Sequence, residues 1–236
     1  MKAFLYGVGL QFKLDIRSRT MLITCYLVPL VFFFFMSGIF ISVDPNARAT
    51  LIPSMSVFVV TMSALIGLPP SLAEVYGTDV KKVYKANGVP QALGVVTQFI
   101  SSFLHTFIVC LIIFAVAPFV FEAQLPDNVP LYFLSLAALL CVTLAIGCVL
   151  GLMIKSQSKL TMAAMIIFLP SIMLSGIMFP ASMLPQFMQY IAYVFPATIG
   201  FQAMTAFEIW HLPVLLGEFI VFCAVASIIL KVKVGR

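Results

Sequence analysis

Six apolar blocks, separated by charged residues, constrain the fold of this chain more than any other feature of its sequence. They cover residues 20–43, 49–73, 86–121, 128–154, 160–207 and 209–230, and the last block alone contains a charge, Glu218. A helix that spans a bilayer needs about 20 apolar residues, so five blocks fit one crossing each. The block 160–207 has 48 residues without a charge. As a single helix it would be about 72 Å long, whereas the hydrocarbon core is about 30 Å thick.

Positive charges indicate how often the chain crosses and in which direction. With one crossing per block, twelve of the 13 Lys and Arg residues fall on one side, and only Arg48 falls in a loop on the other. A second crossing within residues 160–207 would transfer Lys231, Lys233 and Arg236 to the poorer side. Because Lys and Arg accumulate in cytoplasmic segments, we predict six crossings with both termini in the cytoplasm. The predicted crossings are residues 20–43, 52–73, 91–120, 131–154, 160–179 and 211–230.

Composition supports an all-α integral membrane protein. Of the 236 residues, 63% are hydrophobic and 9% are charged, whereas about 25% are charged in soluble domains. We therefore expect a single transmembrane domain, residues 1–236, without a separate soluble domain. The net charge of +5 reports orientation rather than a nucleic-acid partner. Residues 20–43 are too long for the apolar part of a signal peptide, roughly 7–15 residues, so we expect a retained first helix.

Gly176 near the end of the fifth crossing and three prolines after it, Pro180, Pro185 and Pro196, break the block 160–207. Prolines at these intervals fit short helices that begin and end abruptly. The sequence therefore predicts an outer re-entrant helical hairpin, residues 180–210, between the fifth and sixth crossings. Non-helical backbone at membrane depth has to be buried in protein or line a wet cavity, so we expect it to pack against neighbouring helices or a second subunit.

Two further segments are predicted to be short helices on the cytoplasmic side. In residues 1–19, Leu5, Val8, Phe12 and Ile16 share one helical face, which predicts an amphipathic interfacial helix. Residues 10–17 also alternate with period two, but a lone strand is not expected beside a bilayer. In residues 74–90, Gly77-Thr78 and Asp79 fit a helix start and Asn87-Gly88 its end, which predicts a short basic helix on the inner membrane surface.

Few side chains could carry chemistry. The sequence has no phosphate-binding loop and no hydrolase or metalloprotease motif, and we expect no catalytic or metal-binding residues. The five cysteines all lie in apolar stretches without ligand spacing. His105 and Glu218 are candidate intramembrane polar residues. His105 could instead be a neutral, hydrogen-bonded histidine between helices, and Glu218 could either line a cavity or reach water near the interface.

Two local patterns leave alternatives open. Gly147 and Gly151 form a GxxxG motif in the fourth crossing, which fits close helix packing within the chain or dimerisation. The four consecutive phenylalanines at positions 32–35 fit lipid contact or core packing better than a binding site for an aromatic-contacting ligand.

Two motifs carry a resemblance to a known family. The first, Glu74-Val-Tyr-Gly-Thr78, is similar to the E-x-x-G-T motif at the first cytoplasmic loop of ABC-2 type ATP-binding-cassette transporter permeases. The chain continues with Asp79-Val80, where that family often has Leu-Glu. The second motif is similar to the family's S-G-x-x-x-P, L-P and P run through the fifth helix and the outer hairpin. Its residues here are Ser175, Gly176, Phe179, Pro180, Pro185 and Pro196.

The resemblance implies a membrane-spanning permease subunit of an ABC exporter. Two permeases would pair, as copies or with a sister chain, and dock on two copies of a separate ATP-binding subunit that holds ATP and Mg²⁺. No cofactor is then expected on this chain. A cavity between the permeases would move an amphipathic or hydrophobic cargo, such as a drug, antibiotic, peptide or lipid-like molecule, out across a prokaryotic cytoplasmic membrane. The implied coupling residues are Glu74, Tyr76, Gly77, Thr78, Lys81, Lys82, Tyr84 and Gly88.

Two other functions would require different sequence features. A self-contained secondary carrier or channel would normally show broken helices at the midplane with ionisable partners, whereas the breaks here lie toward the predicted outer face. A membrane-embedded enzyme needs converging acid, base or metal groups, and the candidate intramembrane polar residues named above are only His105 and Glu218. An ATP-binding subunit encoded in the neighbouring reading frame would distinguish the permease from both.

Overall fold

The computed structural model describes residues 2–77 and 90–234, and the structural statements below concern these residues. They contain nine α-helices, numbered here in chain order, and no strand. The helices are α1, Lys2–Arg17; α2, which joins Arg19–Leu22, the π-helical turn Ile23–Leu27 and Val28–Val43; α3, which joins Leu51–Met62, the π-helical turn Ser63–Gly67 and Leu68–Gly77; α4, Gln91–Phe121; α5, Val129–Met153; α6, Gln157–Leu174; α7, Gln186–Ala192; α8, Pro196–Thr205; and α9, His211–Val234.

Six helices in the described part of the chain are long and apolar enough to cross a membrane: α2, α3, α4, α5, α6 and α9. This confirms the predicted all-α fold with six candidate crossings. The cytoplasmic position of the termini stays a prediction. Most helix bounds differ from the predicted ones by a few residues, and the largest differences are that α3 continues to Gly77, α6 already ends at Leu174 and α9 continues to Val234. Leu72, Ala73 and Tyr76 are buried, whereas Glu74 between them is exposed. The last turns of α3 are therefore amphipathic, and the helix continues beyond Glu74, its first charged residue.

Helices α3 and α5 form the centre of the bundle and approach each other closely. A Cβ atom on Gly147 would collide with the carbonyl oxygen of Ala64, and one on Gly151 would lie 2.8 Å from the carbonyl oxygen of Pro69. Only a residue without a side chain fits at such contacts. The GxxxG motif is therefore used for helix packing within the chain.

The four phenylalanines of α2 divide between core and surface. Phe33 is buried, and the ring of Phe32 stacks on Phe58 of α3 with centroids 3.6 Å apart. Phe34 and Phe35 are exposed on the opposite side of the helix. The expected core packing thus holds for one half of the cluster and surface exposure for the other half, because neighbouring positions on a helix point about 100° apart.

Helix α1 packs along α4 with a face that differs in part from the predicted one. Val8 and Phe12 are partly buried, as expected, but Leu5 and Ile16 are exposed. The buried position that follows Phe12 on the contact face is Asp15, not an apolar residue. The apolar face predicted from the sequence is therefore split between contact with α4 and the surface.

The loops after α2 and after α4 meet at one end of the bundle. Arg48 and Glu122 form an ion pair of 3.2 Å, and the backbone N–H of Gln124 donates to the carbonyl of Arg48 at 3.0 Å. These loops are the ones that charge distribution places outside. Because both side chains are substantially exposed, such a pair contributes at most about 1 kcal/mol.

Candidate functional site

The end of α3 carries the first of the predicted coupling residues. Glu74 and Gly77 are exposed in the last turn of the helix, whereas Tyr76 is buried in the core. Any effect of Tyr76 on coupling would therefore pass through the packing of α3. Five predicted coupling residues and the predicted short helix lie outside the described residues: Thr78, Lys81, Lys82, Tyr84 and Gly88. The description resumes at Pro90, and α4 begins at the next residue.

A buried carboxylate that the sequence analysis did not single out joins α1 to α4. Asp15 is only 6% exposed. Its Oδ1 accepts a hydrogen bond of 2.9 Å from Gln11 Nε2, and its Oδ2 accepts one of 2.5 Å from Ser101 Oγ. Buried charges are tolerated where hydrogen bonds replace their hydration. In the sequence Asp15 lies close to Lys13, Arg17 and Arg19, and a carboxylate among such charges is normally solvated.

His105 lies one turn beyond Ser101 on α4 and is fully buried. The ring of Phe12 in α1 stacks on it, parallel within 1° and with centroids 4.2 Å apart. The hydroxyl of Tyr26 in α2 lies 2.6 Å from its Nδ1. His105 is thus held between three helices, next to Asp15. We call the group of Gln11, Asp15, Tyr26, Ser101 and His105 the polar junction.

Glu218, the second candidate intramembrane polar residue, lies two turns into α9 and is partly buried. Its Oε2 is buried and has no hydrogen-bond partner among the described residues. Among the described residues, no hydrogen bond or ion pair joins Glu218 to His105. Nor does any group of three or more His, Cys, Asp or Glu in the described segments have the arrangement of a metal site.

The residues of the second motif end α6 and turn the chain. The hydroxyl of Ser175 donates to the carbonyl of Ile172 at 3.0 Å, which satisfies one carbonyl of the last helical turn. Gly176 has φ +89°, in the region that glycine adopts without a Cβ penalty. Phe179 and Pro180 follow at exposed positions before a 3₁₀ turn, Ala181–Met183.

Two short helices, α7 and α8, fill the segment between α6 and α9. Pro185 immediately precedes α7, and Pro196 is the first residue of α8. The hydroxyl of Thr198 donates to the carbonyl of Ala192 at 2.6 Å and ties the two helices together. Helix α8 is mostly buried against α3, α5 and α9, whereas α7 is largely exposed beside α6. Their side and depth in the membrane stay predictions.

Comparison with known proteins gives the family. The model of the ABC-2 type transporter family matches residues 4–209, which include nearly all of α1 and the whole of α2 to α8. The chain belongs to the ABC-2 type transporter family. It is a multi-pass membrane protein and the permease, or transport, subunit of an ABC transporter rather than a catalytic one. No curated protein matches it.

The permease has an apolar groove between α4, α5 and α9. Its volume is about 300 Å³. We call it the inner groove, because it lies at the helix ends that the charge distribution places in the cytoplasm. A second cavity of about 270 Å³ lies between α5 and α9 toward the other end, and the ring of Phe219 borders both. Neither cavity was indicated by the sequence, because each is formed by helices far apart in the chain.

Proposed function

We propose that this permease pairs with a second permease, either another copy or a sister chain, and docks on two copies of a separate ATP-binding subunit. ATP and Mg²⁺ would bind to that partner. ATP-driven closure of the partner would act through residues 74–90 and move an amphipathic or hydrophobic cargo outward across a prokaryotic cytoplasmic membrane. Membership of the ABC-2 type transporter family supports this assignment.

The observation that carries the proposal is the position of α3. It is the most completely buried of the six long helices, and its last turn leads directly into the basic loop that we propose as the docking segment. The contacts of Gly147 and Gly151 leave no space between α3 and α5. Since close-packed interiors transmit displacement, a movement applied at Gly77 would reach the centre of the bundle.

The polar junction supports the same route from the other end of the loop. The loop returns into α4, and Ser101 and His105 tie α4 to α1 through Asp15 and Phe12. Helices α1 and α4 would therefore respond together when a partner moves the loop. A partner can shift the permease only through contacts whose energy differs between its two states, so docking at this loop is where ATP binding would act.

The cargo class is supported by the long helices themselves. Apart from the polar junction, the carboxylates and histidines that the structure places inside the bundle are isolated from one another, and the described residues form no continuous charged path. An amphipathic drug, antibiotic, peptide or lipid-like molecule fits such walls better than a sugar or an ion does. A secondary carrier, the alternative, would need ionisable groups grouped at the midplane.

The test is a double variant of the docking segment, Glu74→Ala with Tyr84→Ala. We expect normal membrane insertion, weaker co-purification with the ATP-binding subunit, and ATP hydrolysis that no longer drives efflux. Truncating a hot-spot residue of a protein interface costs about 2 kcal/mol or more, which corresponds to a loss of docking affinity of roughly 30-fold.

A matched control removes the same two residue types on the predicted outer side. Glu122→Ala with Tyr190→Ala changes two exposed side chains, and docking, ATP turnover and efflux should all stay at the wild-type level. If the Glu74 and Tyr84 double variant also leaves all three unchanged, residues 74–90 are not the docking segment.

A further inference from the structure

The inner groove has no part in the coupling route proposed above. Its walls come from the start of α4, the end of α5 and the part of α9 from Phe219 onward. Helices α4 and α9 touch little beyond the rings of Phe99 and Phe219, whose centroids are 6.2 Å apart. The groove therefore follows the seam where these two helices separate. Side chains that border it include Val95, Phe99, Cys148, Phe219, Cys223 and Ala226.

The groove has too few polar groups to hold a water molecule. Its one hydroxyl belongs to Ser227, and that group donates to the carbonyl of Cys223 at 2.8 Å. A stable buried water needs two to four polar partners. The other lining side chains are apolar or thiols, so the favoured occupant is a hydrocarbon.

The groove is as long as one leaflet. On α9 it runs from Phe219 to Leu230, about 16 Å along the helix axis, and half of the hydrocarbon core is about 15 Å. It ends where the ring of Phe219 separates it from the second cavity. A chain that enters from the cytoplasmic side would thus terminate near the middle of the bilayer.

Two lysines lie at the end of the groove where the headgroup of a lipid would lie. Lys231 follows Leu230, the last lining residue of α9, and Lys155 comes three residues after Leu152, the last lining residue of α5. Both lysines are exposed. Lysines near the membrane surface attract anionic lipid headgroups, so the charge at this end favours a negatively charged lipid over a neutral one.

We propose that the inner groove binds one acyl chain of an anionic glycerophospholipid from the cytoplasmic leaflet, with the phosphate at Lys231. A transmembrane helix of a second subunit is about 10 Å wide with its side chains, and a groove of about 300 Å³ is too small to hold one. The site is a lipid site on the side of the permease, and it depends neither on the cargo nor on the ATP-binding partner.

The experiment uses the full-length permease in nanodiscs that contain phosphatidylglycerol with a photoactivatable group near the end of one acyl chain. After illumination, peptide mass spectrometry locates the adducts. In the wild type we expect them to concentrate on the segments of α4 and α9 around Phe99 and Ala226. A parallel sample with the matched phosphatidylcholine probe reports the preference for the anionic headgroup.

Two variants fill the groove from opposite walls, Ala226→Phe from α9 and Val96→Phe from α4. Each should lower the adduct yield at least fivefold. Ala224→Phe is the matched control, because Ala224 is exposed on α9 and does not border the groove. Its yield should equal that of the wild type. Lys231→Gln should reduce the preference for phosphatidylglycerol over phosphatidylcholine about fivefold, the effect expected for one lysine near the surface.

Three results would overturn the proposal. The first is an equal adduct yield in Val96→Phe and Ala224→Phe, and the second is an adduct spread evenly over the exposed helices. The third is dissociation of the permease pair by the groove-filling variants in native mass spectrometry, because a second subunit would then cover the groove. Val96 is itself exposed at the mouth of the groove, so its variant keeps the test valid even if Ala226→Phe does not fold.

Discussion

The close contact of α3 with α5 predicts that even one methyl group at Gly147 destabilises the permease. In Gly147→Ala the new Cβ would overlap the carbonyl oxygen of Ala64. That oxygen belongs to the backbone of a buried helix, so it cannot rotate away as a side chain would. The two helices would have to move apart by about 1 Å, a separation that forfeits a quarter to a half of the dispersion energy at each contact between them.

The expected cost follows from two opposing terms. Overpacking a well-packed core costs about 1–3 kcal/mol, and we take the upper value because the overlapping atom is backbone at the centre of the bundle. Replacing Gly by Ala within a helix regains up to about 1 kcal/mol. The net loss is about 2 kcal/mol, and at 2–4 °C per kcal/mol for a chain of 150–250 residues the Tm should fall by about 4–8 °C.

The native cysteines provide the assay. Cys25, Cys110 and Cys148 are buried to 3% exposure or less, so a thiol-reactive fluorophore should reach them only on unfolding. Gly217→Ala is the control, because a Cβ at Gly217 would meet nothing within 4 Å, and its Tm should stay the same or rise slightly. Equal Tm values for Gly147→Ala and Gly217→Ala would refute the close contact and the rigid α3–α5 unit that the proposed coupling route needs.

Three further predictions test the polar junction, the topology and the energy supply. Ser101→Ala should lower the free energy of unfolding of the permease by about 1.5–3 kcal/mol, the value of a hydrogen bond to a charged group, and should expose the Arg17 region to trypsin. The control is Ser102→Ala, because Ser102 is also buried but its hydroxyl has no partner among the described residues; it should change neither property. Identical behaviour of the two variants would contradict the polar junction. In a cysteine-free background, single Cys probes at Asp127 and Gln186 should react with an impermeant reagent from outside and a probe at Lys82 should not; protection of the Gln186 probe together with outside labelling at Lys233 would exclude the proposed orientation. The purified chain alone should hydrolyse no ATP, and stoichiometric ATP binding by it would count against an energy supply from a separate subunit.

Local sequence was sufficient for the number of long helices and for the breaks after α6. An apolar block long enough for a bilayer, or a charge that ends it, is a property of neighbouring residues and does not depend on which helices it contacts. The same holds for the turn at Gly176 and the helix starts at Pro185 and Pro196, because these residues restrict their own backbone. Charge counting could even assign one crossing to a block of 48 residues.

Contacts between residues far apart in the chain could not be predicted from such local patterns. Asp15 meets Ser101 and Tyr26 meets His105 across separations of 86 and 79 residues, and no local period connects these positions. Gly147 could have faced lipid, a second subunit or α3 with the same sequence, and only the packing of α3 decided among them. A membrane helix has apolar residues on all of its faces, so hydrophobicity distinguishes these faces poorly. The tertiary arrangement alone determined which face is buried.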